Sequence, residues 1–376
     1  MKFDTVCVHG AKDLNNRTGA LAVPIYQSAT FAHPGVGQST GYDYARTQNP
    51  TREPLERLVA SLEDGLEALG FSSGMAALDA LLSLLEKDDH IIASDDLYGG
   101  SARLFDFLNL RAGLKTSYVD MGDLKALKAA IKPETKLVFI ETPTNPMMKI
   151  TDILAVKETL PPNVLLVVDN TFLTPYYQKP LNLGADLVLH SGTKYLSGHN
   201  DTLAGFLVTR NVPIAERLRY ISKTVGSGLA PFDSFLLIRS LKTLALRMDK
   251  SQTSALKIAS WLKDQPKVTK IYYPALADEK SLAILKKQAT GFGAMISFEV
   301  DSEETAQKVL ESVKLILYAE SLGGVETLIT YPYLQTHADL PPERRLALGI
   351  TERLLRLSVG VENSQDLLED LKQALG

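Results

Sequence analysis

Cysteine is almost missing from this chain. Of 376 residues only Cys7 is a cysteine, which leaves no partner for an internal disulfide and no thiolate cage for zinc. Long apolar runs are missing too. The longest are of the order of Val164–Val168, "VLLVV", far short of what a bilayer-spanning helix needs. There is no basic surplus: 40 Lys and Arg stand against 44 Asp and Glu, a formal net charge of −4, so nucleic acid is excluded as the main partner. The opening segment "MKFDTVCVHG" carries Asp4 and has no apolar core, unlike a secretory signal, so a reducing cytoplasmic compartment is expected. Repeats and low-complexity tracts are absent. What is present is ordinary globular composition, 45% hydrophobic and 22% charged, in a chain long enough for about two domains.

Along the chain, residues 1–48 are rich in Gly, Pro, Thr and Asn and read as an extended arm. From 49 to 232, short apolar runs alternate with helical spacing. Glu53–Leu62 and Gly74–Leu85 are expected as helices; His90–Ser94, Lys136–Glu141, Val164–Asp169, Asp186–Ser191 and Ala204–Thr209 as buried strands. Continuous apolar strands between helices predict an α/β domain with a mostly parallel sheet covered on both faces. From 233 to 376 the pattern changes to a long helix, Ser234–Leu262, then the strand Ala294–Val300, then helices to the C-terminus. That second part reads as a smaller α+β domain.

Ligands of open parallel sheets sit outside the carboxyl ends of the strands. The residues just past each strand therefore make up the candidate site. "VFIE" leads to "TPTNP" with Asn145, and "LLVVD" ends in Asp169. "DLVLH" leads to Ser191, Gly192, Thr193 and Lys194, and "HIIAS" leads to a glycine-flanked loop with Tyr98. "GFSSGMAAL" puts Gly74 and Met75 at a helix start, whose N–H groups and dipole favour a phosphate. One ligand calls for all of these together: a pyridine aldehyde phosphate. It needs a lysine to condense with the aldehyde, a carboxylate for the ring nitrogen, a helix N-terminus and hydroxyls for the phosphate, and an aromatic face. His190 and His199 flank Lys194 at a spacing unsuited to a metal pair on one helix face, and no metal site is read.

The chain resembles the trans-sulfuration family of pyridoxal-phosphate enzymes. The resemblance runs through "YDYARTQNPTR", "FSSGMAAL", "DLYGG", "ETPTNP", "VDNTF", "HSGTKYLSGHND", "AESLGGVETLITYP" and "LLRLSVGVE", in that order. It implies an aminotransferase-like (fold type I) architecture, pyridoxal 5'-phosphate as cofactor, amino-acid substrates, and a homotetramer of close dimers. By the same resemblance, Lys194 would bind the cofactor covalently and then move protons, and Asp169 would pair with the ring nitrogen. Gly74, Met75, Ser191 and Thr193 would hold the phosphate, joined by Tyr44 and Arg46 from a neighbouring subunit. Tyr98 would stack on the ring and help take the substrate amine's proton, and Arg356 would clamp the substrate carboxylate. Asn145 and Ser321 would contact substrate or cofactor oxygen. Glu320 resembles the γ-acting members, where several β-lyases have an apolar or aromatic residue. The resemblance implies γ-replacement on an O-acyl-homoserine by cysteine, with γ- or β-cleavage of cystathionine as alternatives. Gly100 stands where methionine γ-lyases typically carry cysteine, which speaks against methionine cleavage.

Two other classes fit parts of the sequence. "GFSSG", residues 70–74, matches the G-x-S-x-G elbow of a serine hydrolase centred on Ser72, and Asp169 and His337 come later in the order of that fold. It would leave Lys194, Tyr98 and Arg356 without a task. A non-catalytic binding protein on the same fold would leave the lysine, aspartate and arginine equally idle.

Overall fold

Seven strands build the larger sheet of the computed structural model, which describes residues 1–12, 18–338 and 341–376. They are β1 (Glu67–Phe71), β2 (His90–Ser94), β3 (Lys115–Val119), β4 (Thr135–Glu141), β5 (Leu165–Asp169), β6 (Leu187–Ser191) and β7 (Gly205–Thr209). Their order across the sheet is β1-β7-β6-β5-β4-β2-β3. β7 runs antiparallel to both its neighbours, and the other pairs are parallel. The five expected strands lie within a residue of their observed bounds. Their Val, Ile, Leu and Phe side chains are buried because helices cover both faces, so the apolar runs are continuous rather than alternating.

β1 and β3 carry no such run. β1, "EALGF", is short and contains a glycine, and β3, "KTSYV", is an edge strand whose residues are all at least partly exposed. β3 lacks the burial that made the central strands readable, while β1 is buried from Ala68 to Phe71 but its apolar run is short and broken by Gly70.

A second sheet has five strands in the order β10-β11-β12-β9-β8: β8 (Val268–Tyr272), β9 (Met295–Val300), β10 (Leu317–Tyr318), β11 (Leu328–Thr330) and β12 (Leu354–Ser358). Here the expectation of helices after β9 needs correction. "LLRLS" is a central strand, buried along its whole length and paired with both β9 and β11. The expected long helix is also two helices, Pro231–Leu241 and Leu244–Lys263, broken at Lys242 and Thr243. Arg247 fills the break: its guanidinium donates to the carbonyls of Tyr195 (2.6 Å) and Ser240 (3.1 Å). The arm is not wholly extended either. Phe3–His9 is helical, and Cys7 is buried.

The parallel strands set the position of the site. β1, β2, β4, β5 and β6 all end at one edge of the sheet, and β7 starts there. Gly205, the first residue of β7, lets the loop after β1 close onto it: a Cβ there would lie 2.1 Å from the Ser73 carbonyl oxygen.

Candidate active site

At that edge lies a cavity of about 220 Å³. It is lined by Gly74, Met75, Tyr98, Asn145, Asp169, Ser191, Thr193, Lys194, Glu320, Ser321 and Arg356, eleven of the thirteen residues singled out from sequence. Tyr44 and Arg46 do not line it. Both are exposed, the Arg46 guanidinium sits 5.5 Å from the Tyr44 ring centroid, and it donates to the Lys223 carbonyl.

Lys194 comes after β6 in a tight turn, where its N–H donates to the Ser191 carbonyl at 3.2 Å. Thr193 closes that turn: its hydroxyl accepts from Ala204 N–H at 3.0 Å. The Lys194 amine donates to Ser321 Oγ at 2.9 Å. Burial, helped by the Arg356 charge and opposed by the Glu320 carboxylate, brings its pKa down to about 8. A lysine in this state yields its neutral, nucleophilic form nearer neutrality. We therefore expect covalent capture of an added aldehyde phosphate by the apoprotein to speed up as pH rises through about 8, then level off well below 10.5. Stopped-flow absorbance of the loading reaction checks this; a rate still climbing steeply above pH 9 to 10 would refute it.

Asp169 Oδ1 accepts from Thr171 N–H at 2.9 Å and from Thr171 Oγ–H at 2.5 Å. Burial raises its pKa, and these two donors pull it back toward the anion. The helix Gly74–Leu82 begins at the cavity wall. Ser73 caps it by accepting from Ala76 N–H at 3.0 Å, and Gly74 and Met75 contribute its first N–H groups.

Arg356, on β12, is 1% exposed although it is an arginine. Its Nη1 donates to Asn145 Oδ1 at 2.8 Å, and its Nη2 to the Ser321 carbonyl at 3.2 Å and Thr330 Oγ1 at 3.3 Å. Its Nε is buried without a partner, a donor that an arriving carboxylate would satisfy. Ser321 has φ of 95°, an uncommon conformation for a non-glycine residue. It lets one residue present its hydroxyl to Lys194 and its carbonyl to Arg356.

Tyr98 is 41% exposed at the cavity mouth. Its ring packs on bare Gly100: a Cβ at that position would come within 2.4 Å of Tyr98 Cε1, so any side chain there has to move the ring. Sequence reasoning passed over Glu141, Thr171 and Ser73, which also line the cavity. For Glu141 the signal was present: an acid ending an otherwise apolar buried strand.

The hydrolase arrangement does not assemble. Ser72 is exposed and outside this cavity, and His337 bonds Thr336 Oγ1 at 2.8 Å and has its pKa pushed down to about 4 by burial. What does assemble is a half-buried lysine with a lowered pKa, a carboxyl held by Thr171 in the same cavity, a helix N-terminus with two hydroxyls, and an aromatic ring. These residues fit pyridoxal phosphate, and the fold and site define a fold type I enzyme of that cofactor.

The family model for Cys/Met metabolism PLP-dependent enzymes matches residues 4–376, and the chain belongs to that family. It is 48% identical to a cystathionine γ-lyase of Bacillus subtilis, over 100% of this chain and 99% of that protein. It is 47% identical to a cystathionine β-lyase of Lactococcus lactis subsp. cremoris (99% and 98%) and 46% identical to a cystathionine γ-synthase of Haemophilus influenzae (99% and 97%). Among solved structures, the cystathionine γ-lyase of Lactobacillus plantarum complexed with L-serine superposes with a TM-score of 0.97 at 47% identity, covering 100% of this chain and 98% of that one. The protein is a PLP-dependent trans-sulfuration enzyme of cysteine and methionine metabolism, and its relatives divide among three activities. Among the described residues no helix is long and apolar enough to cross a membrane.

Proposed function

We propose that this enzyme acts at the γ-carbon of its amino-acid substrate, replacing the acyl group of an O-acyl-homoserine with cysteine. The observation that carries this reading is the place of Glu320. It lines both the inner cavity and an outer recess that also contains Asp201 and Asp233. The buried Arg356 suits an α-carboxylate, and Glu320, shared with the outer recess, suits a second ammonium on the outer side of the same substrate. Cleavage of cystathionine at the γ-carbon is the second reading, favoured by the likeness to the γ-lyases of B. subtilis and L. plantarum.

When bound, pyridoxal phosphate supplies an electron sink that acidifies the substrate Cα–H. Asp169 would supply the negative charge for the ring nitrogen. Gly74, Met75, Ser191 and Thr193 would hold the phosphate, and Asn145 would bond an oxygen of cofactor or substrate. Arg356 fixes the α-carboxylate as a planar fork. Tyr98 would cover the ring and help pass on the proton of the incoming amine. Lys194 takes the Cα proton and returns protons along the substrate, its amine steered by Ser321. Tyr44 and Arg46 lie outside the cavity of their own chain, and we place them in the site of a second copy, where they reach the phosphate. That arrangement makes the enzyme a homo-oligomer.

The test is a pair of assays. Wild type is expected to form cystathionine from an O-acyl-homoserine and cysteine, and to cleave cystathionine to cysteine and 2-oxobutyrate rather than homocysteine and pyruvate. Glu320→Val is expected to shift that product ratio toward pyruvate by about tenfold, the value of one charge-assisted contact at an exposed rim. A wild type that yields mainly pyruvate and ignores homoserine esters is a β-lyase, and the reading fails.

A further inference from the structure

One buried ionisable side chain of the cavity has no task in the chemistry above. Glu141, the last residue of β4, is 5% exposed and lines the same cavity as Asp169. It is the register partner of Asp169 across β4 and β5, so both side chains leave the sheet on one face. Its Oε2 accepts from the backbone N–H of Tyr98 at 3.0 Å. The groups facing it are Asp169 from β5, Asp96 from the loop after β2, and Arg356 from β12. The hydrogen bonds of Arg356 go to the neutral acceptors Asn145, Ser321 and Thr330 rather than to Glu141, so its charge acts on Glu141 only through space, and among the described residues Glu141 makes no ion pair.

Two neighbouring carboxyls in a site shielded from water do not both ionise. The donors decide which one keeps the charge. Asp169 receives an N–H and an O–H from Thr171, which favour its anion, whereas Glu141 receives one backbone N–H and faces a further acid, Asp96. Burial and the Asp169 charge accordingly push the Glu141 carboxyl well above the usual carboxylate range.

We propose that Glu141 is a positioning residue that works as a neutral carboxylic acid: it keeps the proton of the pair, leaves Asp169 as its only anion, and anchors the Tyr98 backbone through an uncharged oxygen. Charge at the ring nitrogen and placement of the stacking tyrosine are thereby tied to one side chain. This consequence for the cofactor rests on the assignment of Asp169 to the ring nitrogen; the location of the proton does not.

The experiment is infrared difference spectroscopy of holoenzyme containing ¹³C-labelled glutamate, with Glu141→Gln and Glu141→Ala alongside. At neutral pH the expected result is a protonated carboxylic-acid carbonyl band that moves with the glutamate label and vanishes in Glu141→Gln. That variant, an uncharged near-isostere, is expected to keep cofactor affinity and the pH profile of its visible absorption within about twofold of wild type. Glu141→Ala, which leaves the Tyr98 N–H without its acceptor, is expected to lose cofactor affinity by about tenfold. Wild type without a label-sensitive acid band overturns the proposal. So does a folded Glu141→Gln whose absorption midpoint moves by about one pH unit. Should Glu141→Gln not fold, the labelled wild type decides alone. The band is read without turnover, so its absence and a failure of the γ-carbon reading are separate results.

Discussion

Lys194→Ala is expected to lose turnover by at least about a thousandfold while still taking up cofactor. Among the described residues Lys194 is the one lysine lining the cavity, its pKa lowered to about 8 by burial and its position fixed by Ser321. On the proposed reading, removing it would take away both the covalent link and the base at the substrate Cα. The other contacts remain: Asp169 with its Thr171 donors, the capped helix start, Ser191 and Thr193. Uptake should therefore weaken rather than vanish. Two measurements separate these effects, single-turnover kinetics with an amino-acid substrate and equilibrium titration of the apoprotein with pyridoxal phosphate. Borohydride treatment of the wild-type holoenzyme should also bleach its yellow colour and leave the pyridoxyl group on Lys194 in a peptide map. A label on another lysine, or turnover persisting in Lys194→Ala, would dismiss the assignment.

Arg46→Ala and Lys194→Ala, each nearly inactive alone at limiting cofactor, are expected to regain activity when mixed and reassembled. Arg46 stands exposed beside Tyr44 and away from its own chain's cavity, held by the Tyr44 ring and the Lys223 carbonyl. A charged donor to phosphate has value only where phosphate is, and in this reading that is the cavity of the adjoining copy. In a mixed pair, the site of the Arg46→Ala chain has its own Lys194 and receives Arg46 from the other chain. With equal amounts and random pairing, half the pairs are mixed and half the sites in each are complete, so about a quarter of wild-type activity should return. Subunit exchange is monitored by mass spectrometry of the intact assembly. Verified mixed pairs with no recovered turnover would place Arg46 outside the site.

The central strands and the residues after them were legible because burial writes itself into sequence. β2, β4, β5 and β6 each carry an unbroken apolar stretch closed by a polar residue, so their ends, and with them Tyr98, Asn145, Asp169 and Lys194, could be located in advance. β3 was not legible: it is half in water and lacks the pattern. β12 escaped for another reason. Its arginine and serine, buried in the middle of a small sheet, look like the polar face of a helix until Asn145 and Thr330 are seen to satisfy the guanidinium. The position of Arg356 came from resemblance; its burial and its free Nε came only from tertiary contacts. Glu141 was hidden by a habit of inference, since an acid at a strand end reads as solvated until its neighbour in the next strand is known.

The hydrogen bonds that finish the cavity join residues very far apart in the chain: Lys194 to Ser321 spans 127 positions and Arg356 to Asn145 spans 211. The seven strands of the larger sheet, by contrast, are all complete by Thr209. During synthesis the sheet can therefore pair while the tail that completes the cavity is still being made, and ring closure over such spans comes late. A nascent or truncated chain then carries Lys194 without Ser321 to orient it and Asn145 without Arg356. Assembly order itself thus withholds a working centre until the last polypeptide segment has docked.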